Sequence, residues 1–554
     1  AAALGKLAVV VSPLIALMKD QVDGLVEAGV PAAFLNSSLS VEERRAVEAG
    51  VAAGRYRLLY VAPERLVMPP CLALLKRAAV AFFAIDEAHC ISQWGHDFRP
   101  EYRQLKVLRE VFPDVAIHAF TATATPRVRT DIATELALRD PEVLVGNFDR
   151  PNLVYRVRQR TDRPAQVVEA LERHRGEAGI IYSIRRAEVD RLCEALVRRG
   201  YRAVPYHAGL ADDERRRCQD DFINERADVV VATVAFGMGI DRSDVRYVIH
   251  AAMPKSIEHY QQEAGRAGRD GLPSECLLLY SGADFALWDS ILKAEGDPPP
   301  GAIAKLKEMY SFCQGAVCRH RFLVEYFGQT YRKPNCGACD ICLGEVAVQS
   351  DSLVLAQKIL SCVVRLGERF GADYVADVLR GADAARIKAM RHDRLSTYGL
   401  LREHRKTEIR NWIDQLEGLE CLARDSGEYP TLSVTPRGRR VLRSEESVQL
   451  FRTVARPPRG EGRRAGRREA PELLNGEPID NDLFEALRAL RRAMAEERGV
   501  PPYVIFNDAS LREMARERPT TEEAFLRIKG VGYHKLTELG SRFLACIRWH
   551  LEQI

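Results

Sequence analysis

Two short stretches of the 554-residue sequence carry residue types suited to phosphoryl chemistry. In AFFAIDEAHC, Asp86, Glu87 and His89 stand where an apolar run ends, and open α/β sheets bind ligands at the carboxyl ends of such strands. A carboxylate at that point can hold Mg2+ through water, and its neighbour can orient or deprotonate an attacking water. A lone Asp-Glu is more often a polar strand exit, but the ordered set Asp86-Glu87-Ala88-His89 in this setting favours chemistry. In YQQEAGRAGRDG, residues 260–271, Arg266 and Arg269 lie three apart on glycine-flanked backbone that can approach a triphosphate. A guanidinium suits the charge developing on a transferred phosphoryl group; the bland alternative is a solvated basic turn.

Two further stretches suit metal and nucleic acid. Cys318, Cys336, Cys339 and Cys342 follow the pattern C-x17-C-x2-C-x2-C, the first in an amphipathic helix and the others crowded into the turn CGACDIC. Four converging thiolates suit tetrahedral Zn2+ in a structural role, because no coordination position is left for substrate; a redox pair is the minor alternative. In CISQWGHDFRPEY, residues 90–102, Trp94, His96, Phe98 and Arg99 lie just beyond the carboxylates. Aromatic faces stack on bases of any sequence and arginine adds charge, although a buried aromatic cluster is an equal reading for Trp94 alone.

The elements that must position these residues are legible as apolar runs. LAVVVS, RLLYVAP, AFFAIDE and AIHAFTAT, then AGIIYSI, DVVVATV, VRYVIHAA and ECLLLYS, alternate with amphipathic stretches, which means parallel sheet buried on both faces. The set divides near Asp149-Arg150-Pro151-Asn152, so the fold class expected is α/β with two tandem parallel-sheet lobes, 1–147 and 148–282, which the resemblance given below implies are RecA-like. A zinc-binding helical subdomain is expected over 283–346, a winged helix with a hairpin near Arg424-Asp425-Ser426-Gly427 over 347–451, a basic linker over 452–475, and a small all-α bundle over 476–554. The linker reading rests on RTVARPPRGEGRRAGRR, where seven Arg face one Glu and little apolar surface is available to fold around.

Bulk properties agree with a soluble multidomain machine: 46% apolar residues, 29% charged, a net charge of +4 and no apolar run of membrane-spanning length. The opening AAALGKLAVVVSPLIALMKDQ shows no secretion signal, so a cytoplasmic location is expected. An odd thirteen cysteines, most standing singly in apolar segments, argue against a disulfide scaffold.

DEAH, TATAT at 121–125, VATVAFGMGID at 231–241 and QQEAGRAGRDG occur in the order of the superfamily 2 helicase motifs, and CISQWGHDFRPEY resembles the aromatic-rich loop of the RecQ family. SPLIALMKDQ, YVAPERL and YHAGL extend the likeness, and PPYVIFNDASLREMA with IKGVGYHKL is similar to the helicase-and-RNase-D C-terminal (HRDC) domain. The resemblance implies an ATP-dependent 3′–5′ DNA helicase of recombination and repair. By it, Asp86 and Glu87 serve Mg2+ and water, His89 joins the catalytic set, and Gln262 couples the lobes. Gly239, Asp241, Arg266 and Arg269 meet the nucleotide, with Arg269 the arginine finger. On the winged helix Arg405, Lys406, Arg410 and Arg424 are the phosphate candidates and Tyr429 the residue stacking on the terminal base pair; Tyr503 is the single-strand stacking candidate.

Single- and double-stranded DNA are the partners this implies, with a single-stranded-DNA-binding protein added and a monomer expected. One departure is plain: the family's adenine motif and glycine-rich phosphate loop do not occur in these residues, and Gly5-Lys6 is followed by Leu7 with no glycine loop before it. The expectation is that this polypeptide starts beyond that loop and hydrolyses ATP poorly. The competing readings are a non-catalytic DNA-binding remnant and a DEAH-type RNA helicase; the zinc and winged-helix modules argue against the second.

Overall fold

The computed structural model describes residues 5–27, 29–95, 97–234, 236, 242–294, 301–315, 317–425, 431–453, 473–474, 477–478 and 480–553. Strands β1 (Leu7–Val11), β2 (Ala32–Leu35), β3 (Leu58–Val61), β4 (Val80–Ile85) and β5 (Ala116–Ala119) form a parallel sheet in the order β2-β3-β1-β4-β5. A second parallel sheet runs β6-β11-β10-β7-β9-β8. Its strands are β6 (Leu153–Gln159), β7 (Ala178–Tyr182), β8 (Ala203–Tyr206), β9 (Val229–Ala232), β10 (Val245–His250) and β11 (Ser274–Tyr280). The two lobes are RecA-like. Every apolar run read as a strand is one. The sequence reading passes over β2, β6 and β8, and all three are edge strands.

The zinc region does not stand alone. Leu306, Met309, Phe312, Leu323 and Phe327 share one core with Tyr155, Val248, Tyr260 and Leu278 of the second lobe. The stretch expected as one helix is two, Ala302–Gln314 and Arg319–Tyr326, and Cys318 is not inside a helix but caps the second. Its extended backbone there, φ −46° and ψ 126°, is what an interior helical position would forbid. The cysteine turn runs beside β6: Tyr155 N–H donates to Ala338 O at 3.0 Å and Asp340 N–H to Tyr155 O at 2.9 Å. Arg319 clasps Asp340 through two bonds of 2.9 and 3.1 Å, both side chains buried.

The winged helix packs helices Ser352–Arg365, Ala372–Arg380 and Lys406–Gly418 around Trp412. β12 (Val346–Val348) stands before these helices and the hairpin of β13 (Leu422–Arg424) and β14 (Leu432–Val434) follows them. β12 pairs with β15 (Phe451–Thr453), so Arg452 and Thr453, expected in the linker, instead close this domain by pairing with Ala347 and Val346. Tyr429 and residues 454–472 of the linker lie outside the described residues.

Helices Asn481–Arg498, Asp508–Glu517 and Ser541–Glu552 build the last bundle around Leu487, Phe506 and Phe543. It docks on the second lobe through Glu225, whose carboxylate receives Arg491 and Arg492, each at 2.6 Å. Among the described residues no helix is long and apolar enough to cross a membrane.

Candidate active site and DNA interface

β4 delivers Asp86 past the end of the sheet, and its N–H continues the ladder to Val11 O at 2.8 Å. The chain then turns sharply. Glu87 takes the left-handed conformation, φ 46° and ψ 43°, which costs a residue with a Cβ on the order of 1–2 kcal/mol and persists only where surroundings impose it. They do so: Glu87 N–H donates to Asp86 Oδ1 at 2.9 Å, Ala88 N–H to Phe120 O at 2.9 Å, and Tyr102 O–H to Asp86 O at 2.9 Å. Burial, and then the Glu87 charge beside it, push the Asp86 carboxyl above the ordinary carboxylate range. A bound divalent cation would relieve both effects, so this pair fits Mg2+.

From Glu87 a polar path crosses to the second lobe. Glu87 Oε2 lies 3.2 Å from His89 Nδ1, which also meets Thr121 Oγ1 at 2.9 Å. Two residues on, Thr123 Oγ1 lies 3.4 Å from Gln262 Nε2 of helix Ile257–Ala264. Asp86, Glu87, His89 and Gln262 are therefore brought together, with Thr121 and Thr123 as the link that sequence reasoning quoted but did not assign.

Arg266 is buried in the loop after that helix, beside Tyr182, whose phenol burial pushes up to about 12 against the opposing charge of Arg266. Arg269 is at the exposed tip. Arg150 holds this loop by donating to Ala267 O and Gly268 O at 3.0 and 2.9 Å, and Asn152 adds a bond of 2.9 Å to Gly268 O. Gly268 has φ +57°, and a Cβ there would stand 2.5 Å from Asn152 Nδ2, so a side chain would break the clasp. The sequence marked Arg150 and Asn152 only as a lobe boundary; their type and position were the available signal. Gly239 and Asp241 lie outside the described residues.

The four cysteine sulfurs Cys318, Cys336, Cys339 and Cys342 lie within 4.8 Å of one another. A tetrahedron with Zn–S of about 2.3 Å needs sulfurs about 3.8 Å apart, which small movements supply. Backbone amides already face them: Ala338 N–H donates to Cys336 Sγ at 3.3 Å, and Cys342 N–H to Cys339 Sγ at 3.4 Å. Such donors favour the thiolate that a metal requires.

On the DNA-facing candidates, Trp94 is half-buried beneath the Arg127 guanidinium, 3.3 Å from its ring centre, and Arg103 lies 5.3 Å over Phe98. Arg99 pairs with Asp97 at 3.1 Å and reaches Pro13 O at 3.3 Å; His96 is outside the described residues. Arg405 is exposed at the start of helix Lys406–Gly418, while Lys406 pairs with Asp377 at 2.7 Å and Arg410 with Asp373 at 2.5 Å. Both pairs are partly exposed and weak enough to exchange for phosphate. Arg424, expected to meet phosphate, is held by Asp414 at 3.0 Å and Glu417 at 2.7 Å of its own domain, and the same Asp414 receives Gln159 of the second lobe. Tyr503 is half-buried in the first turn of Pro502–Ile505.

Five family models match in sequence: DEAD/DEAH box helicase over residues 2–132, helicase conserved C-terminal domain over 144–271, RecQ zinc-binding over 283–343, RQC domain over 347–459 and HRDC domain over 480–547. The "ATP-dependent DNA helicase RecQ" of Haemophilus influenzae is 42% identical over 554 aligned residues, covering 98% of this chain and 87% of that protein. The chain belongs to the RecQ family. The protein of the same name from Bacillus subtilis is 42% identical, covering 97% of this chain and 88% of that protein. The "RecQ-like DNA helicase BLM" of Xenopus laevis is 33% identical over 98% of this chain and 42% of its own length. This RecQ chain is an ATP-dependent DNA helicase, and its helicase domains imply ATP as the nucleotide, as its RQC and HRDC domains imply DNA.

Proposed function

We propose that this RecQ-family chain moves 3′ to 5′ along DNA in recombination and repair, with Asp86 as the Mg2+-holding carboxylate and Glu87 as the group that orients the attacking water. The observation that carries this is the path Glu87–His89–Thr121 and Thr123–Gln262, which ties the carboxylates of one lobe to the helix that precedes Arg266 and Arg269 in the other. Mg2+ would supply charge neutralisation of the phosphates. Glu87 then holds the water in line, Arg266 and Arg269 face the developing charge, and His89 and Gln262 report lobe closure. Gly239 and Asp241 complete the nucleotide-contacting set by resemblance.

Zn2+ is the proposed occupant of Cys318, Cys336, Cys339 and Cys342, where it would lock the cysteine turn along β6. Trp94, His96, Phe98 and Arg99 sense the single strand. Arg405, Lys406, Arg410 and Tyr429 meet the duplex, and Tyr503 stacks on the single strand. The domain bounds proposed remain 1–147, 148–282, 283–346, 347–451, 452–475 and 476–554, apart from the strand β15 that extends the fourth. A monomer that meets a single-stranded-DNA-binding protein on the displaced strand completes the reading. A cytoplasmic location fits a cysteine set in which four thiols go to the metal site and most of the others stand singly in apolar segments.

Glu87→Gln tests the assignment in a polypeptide that carries a phosphate-binding loop ahead of these residues. Hydrolysis should fall on the order of 100-fold or more with oligonucleotide affinity unchanged. Retained hydrolysis would remove Glu87 from the mechanism.

A further inference from the structure

Three elements distant in sequence meet at Lys305. Its helix, Ala302–Gln314, shares the core of the second lobe. Its ammonium nevertheless donates to the carbonyl of Trp94, in the aromatic loop of the first lobe, at 2.5 Å. The same ammonium stands 2.8 Å from Glu258 Oε1, one turn before Gln262 on helix Ile257–Ala264. Both ends are withdrawn from water, the Glu258 side chain 3% exposed and that of Lys305 16%.

The Trp94 ring is confined as well. Arg127 covers one face, and Gly301, at φ +81° just before the lysine's helix, packs against the ring so closely that a Cβ would stand 2.9 Å from Trp94 Cζ3. An ammonium is suited to this double duty, because its three donors turn freely and hold two acceptors without imposing a plane on either.

We propose that Lys305 is a positioning residue for the helicase reaction, the clasp that ties the place of the Trp94 loop to the helix leading into Gln262, Arg266 and Arg269. DNA that moves the loop then moves that helix through one side chain. The inference rests on the reading of residues 90–102 as the strand sensor. Other ties join the same bodies without touching either end of the clasp: Arg129 donates to Phe327 O, linking helix Pro126–Glu135 to the zinc region.

The test compares ATP hydrolysis with and without oligo-dT, again in a polypeptide carrying a phosphate-binding loop. Lys305→Met, matched in length and without charge, should lower the DNA-stimulated kcat about 10-fold or more, as misplacement of catalytic groups does, while the basal rate and oligo-dT affinity stay within about twofold. Lys305→Arg should recover part of the stimulation, and Arg129→Ala should keep it. In the 554-residue chain, Lys305→Met should also speed amide exchange at Trp94 and Gly95. Stimulation that survives Lys305→Met but is lost in Trp94→Ala would overturn the proposal; survival in both would overturn the sensor reading beneath it. Equal loss of basal rate, stimulation and affinity would mean a merely structural lysine and would also overturn it. If Lys305→Met does not fold, Glu258→Gln reads the other end of the clasp by the same split.

Discussion

Replacing Glu225 should release the C-terminal bundle from the second lobe. Glu225 follows helix Asp212–Ile223 in a left-handed turn, φ +59°, and its side chain is 4% exposed. Arg491, 1% exposed, meets it at 2.6 Å; Arg492 meets it at 2.6 Å and Arg488 at 3.7 Å. Gln keeps the length and the backbone strain, so Glu225→Gln isolates the charge. Removing one partner of a buried pair costs about 3–5 kcal/mol, and the lower end, about 3 kcal/mol, applies because Arg491 keeps other acceptors. These are Asp508 at 2.7 Å and Phe506 O at 2.9 Å. At about 1.4 kcal/mol per decade, the docking equilibrium shifts on the order of 100-fold. The bundle has its own core, so the expected response is undocking and not unfolding. Small-angle scattering should show a larger radius of gyration, and the backbone N–H at position 225, which in the parent donates to Phe222 O, should exchange faster. Glu225→Lys, which places a like charge among three arginines, should do so more completely. Unchanged scattering and exchange in both variants would refute the claim that this carboxylate holds the bundle.

Elemental analysis should find one Zn2+ per chain, and Cys336→Ser should remove it and lower Tm, since structural zinc contributes apparent binding free energy of about 10 kcal/mol or more to folding; a folded, metal-free chain of parental Tm would contradict the assignment. His174 lies 2.7 Å from Glu177 and 2.9 Å from Glu275. Burial opposes its charge, but the two carboxylates prevail and raise its pKa above the ordinary 6.5. A raised folded value means stabilisation fully present below about pH 6.5 and lost as pH rises through the raised folded pKa, so the Tm deficit of His174→Asn should be larger near pH 6 than near pH 9. A deficit independent of pH would show that the imidazole is neutral throughout.

Sequence alone determined the lobes, because a parallel strand covered on both faces must be continuously apolar and such runs are legible. The same rule explains what it passed over. β6 alternates buried and half-buried positions and β8 is half-buried throughout, while β2 and the equally short edge strand β5 differ in that β5 lies in the longer stretch AIHAFTAT. The carboxylates, the arginine pair, the four cysteines and the aromatic loop were legible because their chemistry needs fixed residue types at short spacing. The fates of the charged residues were not. Arg424 looked like a phosphate ligand and is bound by Asp414 and Glu417, while Arg150, marked only as a lobe boundary, and Glu225 and Lys305, singled out by no motif, tie separate elements together. A charge's role is set by the partner that replaces its water, and for Lys305, Arg150 and Glu225 folding brings that partner from 211, 118 and 266 positions away.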